Sequence, residues 1–356
     1  MQNNKQKFGD LGQHWTPEKI VETMVSLIKF GETILEPSAG SGRFMRKLPS
    51  AVGLEIDPTV IPADLVGRFQ VVNFFNFPTT QKFSTVIGNP PYVAGKLLPN
   101  DWFGDWIGVS PKTANAYIHF IEKCIHHTTE QSEIIMIVPA TIFGDSSRGG
   151  TLRNMMLNLG SFTDVLTFEQ NVWDEALVDT VIFRWERGIK SNKIRFNGTE
   201  LNLIERNNFI WFLDYVPEFY VSDFFKVTVG SAPSANAYHN GDVVYVKGGK
   251  EILLSEKEME LWPRVHHTPP GMKILFNSGP TRRWPVFSIS DSGKHVDHAL
   301  IPLIPFESLS VVCGELNEYF KLCGEELGLI KSGRWNVGVK QLTNCPIPSE
   351  IISKFR

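Results

Sequence analysis

Over residues 16–185, short apolar runs alternate with amphipathic stretches, and this alternation leaves few architectures open to the chain. Strand-like runs fall at 33–36, 51–56, 69–72, 84–88, 133–138, 162–168 and 179–185, with helical candidates at 42–48, 113–127 and 151–159. Strands that take turns with helices over such a length pair mostly in parallel, because a helix carries the chain back before the next strand begins. The pattern predicts an α/β domain, a doubly wound sheet with helices on both faces. Ahead of it, TPEKIVETMVSLIKF places Ile20, Met24, Leu27 and Ile28 at i, i+4, i+7 and i+8. With Thr16 as cap and Pro17 at the first helical position, it predicts a helix. A polar stretch, 186–198, ends the alternation. Beyond it the chain is rich in aromatic residues, glycine and proline, with short strand-like pieces at 243–247 and 273–276. The expected organisation is two domains, 1–189 and 190–356, the second an irregular α+β unit.

Composition excludes more than it assigns. Apolar and charged fractions of 42% and 21% are those of an ordinary globular protein. The opening MQNNKQKFGD has no apolar run, and nowhere do about 18 apolar residues follow one another. The expectation is a cytoplasmic protein with no membrane contact. Cys124, Cys313, Cys323 and Cys345 show no paired spacing, which argues for free thiols and against a metal site. Residues 1–190 carry 17 Lys+Arg against 20 Asp+Glu, and 191–356 carry 18 against 18. Neither half is basic, so any nucleic-acid contact must come from a local patch.

Two segments carry chemistry. ILEPSAGSGRF, residues 34–44, is an apolar run ending in an acid, then a small-residue turn, then a helix start. Gly40 and Gly42 let the backbone turn tightly and approach a ligand, and the helix start offers N–H groups to an anion. A second strand ends in acids at VGLEIDP, with Glu55 and Asp57. In a doubly wound sheet both acids reach carboxyl strand ends beside the crevice where nucleoside ligands bind, and the second suits the two hydroxyls of a ribose. Only Gly40-Ser41-Gly42 is present, which argues against the pyrophosphate of a dinucleotide. S-adenosylmethionine has a ribose, an adenine, an ammonium and a carboxylate but no phosphate, and it fits better, with Glu36 placed for the ammonium. Taken alone, a tight turn with surface acids stays open.

The second segment is Asn89-Pro90-Pro91-Tyr92, directly after the run at 84–88. The prolines stiffen the loop and bring no N–H, so it presents oxygens without competing donors. The Asn89 side-chain oxygen and the Pro90 carbonyl can both accept from one amino group. An aryl or amide nitrogen needs this before methylation, because its lone pair is delocalised. Two acceptors favour a pyramidal nitrogen and bind the positive charge that develops on it. Tyr92 supplies a flat face for a planar substrate. A rigid turn is the alternative reading of this segment alone.

Four segments in order, GQHWTPEKIVETMV, ILEPSAGSGRF, VGLEIDP and IGNPPYV, resemble the gamma class of N6-adenine DNA methyltransferases, typified by type II modification enzymes. The resemblance covers most of the first 185 residues. It implies a Rossmann-like methyltransferase fold with S-adenosylmethionine as cofactor, followed by a target-recognition domain. Thr16 and Pro17 would flank the methionine end of the cofactor with Glu36, Pro37, Ser38, Ala39, Gly40 and Gly42. Glu55 would take the ribose, Ile56 would pack on the cofactor's adenine, and Asn89, Pro90, Pro91 and Tyr92 would hold the target base. Family members place Asp-Phe before the proline motif where this chain has Asn73-Phe74. The asparagine oxygen can still accept from the adenine amino group, without charge, so weaker cofactor binding is expected. Trp173 matches the family's second stacking aromatic, with a core or hinge tryptophan as the other reading. The target base would be turned out of the duplex between Tyr92 and Trp173.

FFKVTVGSAPSANAYH and SGRWNVGVKQLTNCPIP resemble the family's recognition domain more thinly. Arg282 and Arg283, in GPTRRWPVF, are base-reading candidates, since arginine is the usual bidentate reader of guanine; a phosphate contact or a solvated pair stays open. The loop 96–112, with Trp102, Trp106 and Lys112, is expected to contact DNA and to become ordered on it. The implied partner is double-stranded DNA, with a separate restriction endonuclease as companion and a monomeric enzyme. RNA adenine or a protein glutamine amide is the alternative substrate, and a catalytically idle DNA-binding protein the rival outside enzymes.

Overall fold

The computed structural model describes residues 15–99, 101–112, 114–144, 149–168, 180–228, 243–247, 250–254, 274–277, 288–289, 295–296, 300–306, 315–316, 319–320, 330–331, 334–335 and 338–353. The chain divides into two compact units, Met1–Asp214 and Tyr215–Arg356.

In the first unit the described strands are β1 (Ile34–Glu36), β2 (Ala51–Glu55), β3 (Phe69–Val71), β4 (Thr85–Gly88), β5 (Glu133–Pro139), β6 (Gly160–Thr167), β7 (Thr180–Arg187), β8 (Lys193–Phe196), β9 (Thr199–Arg206) and β10 (Phe209–Leu213). They form one sheet in the order β10-β9-β8-β6-β7-β5-β4-β1-β2-β3. Neighbours from β3 to β5 run parallel, whereas β7 is antiparallel to both β5 and β6. The chain moves outward from β1 to β2 and β3, then returns to lay β4 and β5 on the other side of β1. At such a reversal the carboxyl ends of the two central strands leave a crevice between their loops.

The central strands read as continuous apolar runs because both faces are covered: every residue of β1, β4 and β5 is buried. Side chains of β5 go alternately to the two sides. Ile135 and Ile137 join Val21 and Met24 of α1 (Glu18–Ser26) and Phe44 and Met45 of α2 (Arg43–Lys47). Ile134, Met136 and Val138 join Ile118 and Ile121 of α3 (Ala116–His126), Ile142 of α4 (Thr141–Gly144) and Leu152 and Met156 of α5 (Gly150–Leu159).

Three expectations are corrected. Thr16 does not cap α1: Pro17 takes the N-cap position with ψ 147° and no side-chain bond closes the helix start, which leaves the Thr16 hydroxyl for another partner. The helix also stops at Ser26, so Leu27 and Ile28 lie beyond it. The boundary expected at residue 189 lies instead at Asp214, because the polar stretch is sheet rather than linker. Within it Ile194 of β8 is buried between exposed neighbours, the pattern of a strand with one wet face. The fully buried run of β10 follows, with Phe212 stacked on Phe196 and edge-on to Phe143.

The second unit is α+β. Phe225–Val227, Leu300–Pro305, Ile274–Asn277 and Ser288–Ile289 form an antiparallel sheet, and Lys250–Leu254, Val243–Lys247 and His295–Val296 a second sheet. Short helices lie at Val221–Phe224, Val339–Thr343 and Ser349–Ser353.

Candidate active site

The loops after β1, β2, β3 and β4 open on one cavity of about 860 Å³, mouth included. Register explains why they meet. Glu36 pairs with Gly53, which leaves Glu55 two residues further along β2 and level with the turn that follows β1. That turn needs glycine. Gly40 has φ +49°, and a β-carbon on it would come within 2.7 Å of the Trp15 ring. Gly42, at φ +72°, starts α2, and a β-carbon there would meet Leu65 at 2.6 Å.

The two acids behave differently. Glu55 accepts from the N–H groups of Gly40 (2.7 Å), Ile56 (3.0 Å) and Asp57 (3.0 Å). Burial raises its carboxyl above the ordinary range, and those three donors oppose the shift. Glu36 is 2% exposed, and its Oε2 finds no partner among the described residues. Burial, and then the nearby Glu55, hold its carboxyl well above the ordinary range. A buried acid with an unanswered oxygen on a cavity wall is suited to a cationic ligand group.

Asn89 leaves the end of β4 and is tied on two sides. Its main-chain oxygen accepts from Ser38 Oγ at 3.0 Å, and its Nδ2 donates to Thr16 Oγ1 at 3.2 Å. The Thr16 carbonyl accepts in turn from Arg43 at 2.6 Å. The segment ahead of α1 is thereby fastened across the loops after β1 and β4.

Of the residues singled out by sequence, Thr16, Glu36, Pro37, Ser38, Ala39, Gly40, Glu55, Ile56, Asn73, Phe74, Asn89 and Pro91 line the cavity. Pro17, Gly42, Pro90 and Tyr92 do not line it. Pro17 starts a helix, and Gly42 serves the turn. The half-buried Tyr92 donates its hydroxyl to the Ile137 carbonyl at 2.7 Å and packs edge-on to Tyr117. Lys112 is exposed. Trp173, Arg282 and Arg283 lie outside the described residues. Sequence reasoning did not assign Trp15, Arg43, Val72, Trp102 or Phe120 to the site, though all five line the cavity. Trp15 stands inside the motif already quoted; Phe120 carries no local signal, being one of many buried positions on α3.

The loop expected to become ordered on DNA has anchors of its own. Glu122 accepts from the N–H groups of Val109 and Ser110, the Lys123 ammonium lies 5.3 Å from the Trp106 ring, and Asn73 Nδ2 donates to the Trp102 carbonyl at 2.8 Å.

The pattern that defines Eco57I restriction-modification methylases matches residues 64–173, which span the loop after β3, the proline motif and α3. The type II methyltransferase M.HincII of Haemophilus influenzae is 28% identical over 227 residues, 60% of this chain and 45% of that protein. Within the first unit, residues 64–173 thus resemble methylases of the restriction-modification kind. The modification methylase CviBIII of Paramecium bursaria Chlorella virus NC1A is 30% identical over 182 residues, 46% of each protein. The chain thus spans less than half the length of these relatives. In three dimensions, a type IIL restriction-modification enzyme, MmeI, solved in complex with DNA, shares the fold. Its TM-score is 0.52 at 12% identity, covering 95% of this chain and 65% of that one.

The fold is Rossmann-like, and S-adenosylmethionine is the cofactor that the likeness to these methyltransferases implies. The cavity suits it, with an unanswered acid at one wall for an ammonium and apolar Ile56, Val72 and Phe74 elsewhere for a base. A pH prediction follows. A carboxyl whose ionisation is raised in the folded protein contributes stability below its unfolded range and loses it as pH rises through the raised one. Glu36→Gln therefore stabilises the cofactor-free protein, by about 1–3 kcal/mol near neutral pH and less in acid. Thermal melting across pH measures this. The same substitution is expected to weaken cofactor binding and to remove a rise in wild-type affinity as pH climbs through the Glu36 transition, read by calorimetry across pH.

Proposed function

We propose that the chain transfers a methyl group from S-adenosylmethionine to the exocyclic N6 of an adenine turned out of duplex DNA. The observation that carries this reading is that Asn89 and Pro91, from a loop of hydrogen-bond acceptors, share one cavity with the buried acid Glu36. In this reading Glu36 holds the cofactor's ammonium, with Thr16, Ser38 and Gly40 around its methionine end. Glu55, already fixed by three N–H donors, takes the ribose hydroxyls, and Ile56, Asn73 and Phe74 surround the base. Bound there, the cofactor supplies an electrophilic methyl group on a positive sulfur.

The chain's own residues prepare the nitrogen. Asn89 Oδ1 and the Pro90 carbonyl accept the two amino hydrogens and hold the nitrogen pyramidal, with its lone pair toward the cavity. As positive charge grows on that nitrogen, both oxygens bind it more tightly than they bound the neutral amine. The Ser38 bond keeps the Asn89 backbone from drifting, and Thr16 keeps its amide from turning. Tyr92, its ring held by the Ile137 carbonyl, stacks on one face of the base and Trp173 on the other. Each stacked face is worth about 1–3 kcal/mol by analogy with single-strand binders.

The unit 215–356 reads the target, with Arg282 and Arg283 at bases or phosphates and Lys112 at the backbone. The enzyme works as a monomer beside a separate restriction endonuclease. An RNA adenine or a glutamine amide would satisfy the same acceptors; the second unit and the kinship with modification methylases favour DNA. Transfer of tritiated methyl to duplex DNA, RNA and release-factor protein separates the three. Label in N6-methyladenine of the duplex is expected, and label only in RNA or protein refutes the DNA assignment.

A further inference from the structure

Trp102 was read from sequence only as part of a DNA-facing loop, and the structure gives it another place. It is 7% exposed and lines the methyltransferase cavity, near Asn73, Phe74 and Phe120. Its indole N–H is buried and finds no partner among the described residues. Indole nitrogen only donates, and a buried donor beside a ligand cavity without a partner points to an acceptor on the ligand.

Its position is set by Asn73. The Asn73 side-chain oxygen accepts from the Phe75 N–H at 3.0 Å, while its Nδ2 donates to the Trp102 carbonyl at 2.8 Å. An aspartate could do the first and not the second, since an ionised carboxylate has no donor. Asparagine at this position is therefore a bridge between the turn after β3 and the loop carrying Trp102, rather than a weakened aspartate. The Glu122 and Lys123 contacts anchor the rest of that loop to α3.

We propose that Trp102 is a cofactor-binding residue whose indole N–H donates to a ring nitrogen of the S-adenosylmethionine base, and that Asn73 is the residue that positions it. The inference rests on the cavity being the S-adenosylmethionine site. Adenine offers acceptors at N1, N3 and N7, so Trp102 selects a purine with an unprotonated nitrogen at one of them. One good hydrogen bond in a dry site corresponds to about tenfold in affinity.

The test uses the full chain and S-adenosylhomocysteine, which binds without reacting, followed by calorimetry and by tryptophan fluorescence. Trp102→Phe keeps a ring and removes the N–H; it is expected to bind about tenfold more weakly. The 1-deaza, 3-deaza and 7-deaza analogues each lack one acceptor. One of them is expected to bind wild type about tenfold more weakly than the parent, and Trp102→Phe to treat that analogue and the parent alike. Asn73→Asp is expected to lose both affinity and this discrimination, which a general loss of packing would not reproduce. The proposal is overturned if wild type binds all three analogues like the parent, or if discrimination survives in Trp102→Phe. Tighter binding by Asn73→Asp overturns the bridging role, showing that charge on the base amino group governs affinity. Failure of wild type to bind S-adenosylhomocysteine overturns the reading of the cavity, and this proposal with it; equal binding by wild type and both variants overturns this proposal alone.

Discussion

Asn89→Ala is expected to lower the single-turnover rate of methyl transfer by about 10²–10³-fold, the usual cost of removing one preorganised partner of a developing charge. The larger part comes from the acceptor that meets the target nitrogen, because that interaction strengthens only as the nitrogen becomes positive. A smaller part comes from the bond to Thr16 Oγ1 at 3.2 Å. Losing it loosens the segment ahead of α1 and should weaken cofactor binding only a few-fold, as one exposed-to-half-buried hydrogen bond is worth about 0.5–1.5 kcal/mol. Asn89→Asp separates the two parts. It keeps two acceptor oxygens, and the Thr16 hydroxyl can turn to donate to the carboxylate, so its rate should fall between those of wild type and Asn89→Ala while its cofactor affinity stays above that of the alanine variant. Rapid-quench single turnovers, with cofactor affinity measured beside them, read both quantities. Near-normal turnover by Asn89→Ala would mean that the acceptor pair does not prepare the nucleophile.

What could be read from sequence was what is decided locally. The Gly40 turn and the proline motif are fixed within a few residues, and both strands that deliver them, β1 and β4, are short buried runs without ambiguity. What could not be read depends on partners far along the chain. The Tyr92 ring is set by the Ile137 carbonyl, 45 positions away. Trp102 comes to the cavity wall because a side chain 29 positions earlier, Asn73, holds its carbonyl. Arg43 enters through the Thr16 carbonyl, a contact that no spacing rule announces. The domain boundary failed for a different reason. A strand with one wet face has the same polar composition as a linker, and only the burial of Ile194 and the apolar run of β10 distinguish them.

The largest effect on stability is expected far from the cavity, at Arg184. Its side chain is 6% exposed and meets three carboxylates: Glu133 at 2.5 Å, Glu186 at 2.8 Å and Asp164 at 3.4 Å. Asp164 keeps Arg195 as a second cation and Glu186 keeps Lys29. Glu133 has no other cation among its described partners; it holds the N–H groups of Lys29 and Phe30 and the Thr85 hydroxyl. Arg184→Met would therefore leave an uncompensated charge mainly at Glu133, and removal of one partner of a buried pair costs about 3–5 kcal/mol. Urea unfolding followed through the signal of the first unit should show that loss at neutral pH. Adding Glu133→Gln to Arg184→Met should restore part of the stability, because a neutral amide needs no counter-ion and its one oxygen can keep the Lys29, Phe30 and Thr85 donors, all of which meet Oε1. Because Glu133 begins β5 at the amino end of that strand, opposite the carboxyl ends that carry the cavity, the cofactor affinity of the folded fraction should be unchanged. A stability loss below about 0.5 kcal/mol would show instead that Lys29 and the main-chain donors alone sustain the network, within the range of an ordinary surface substitution.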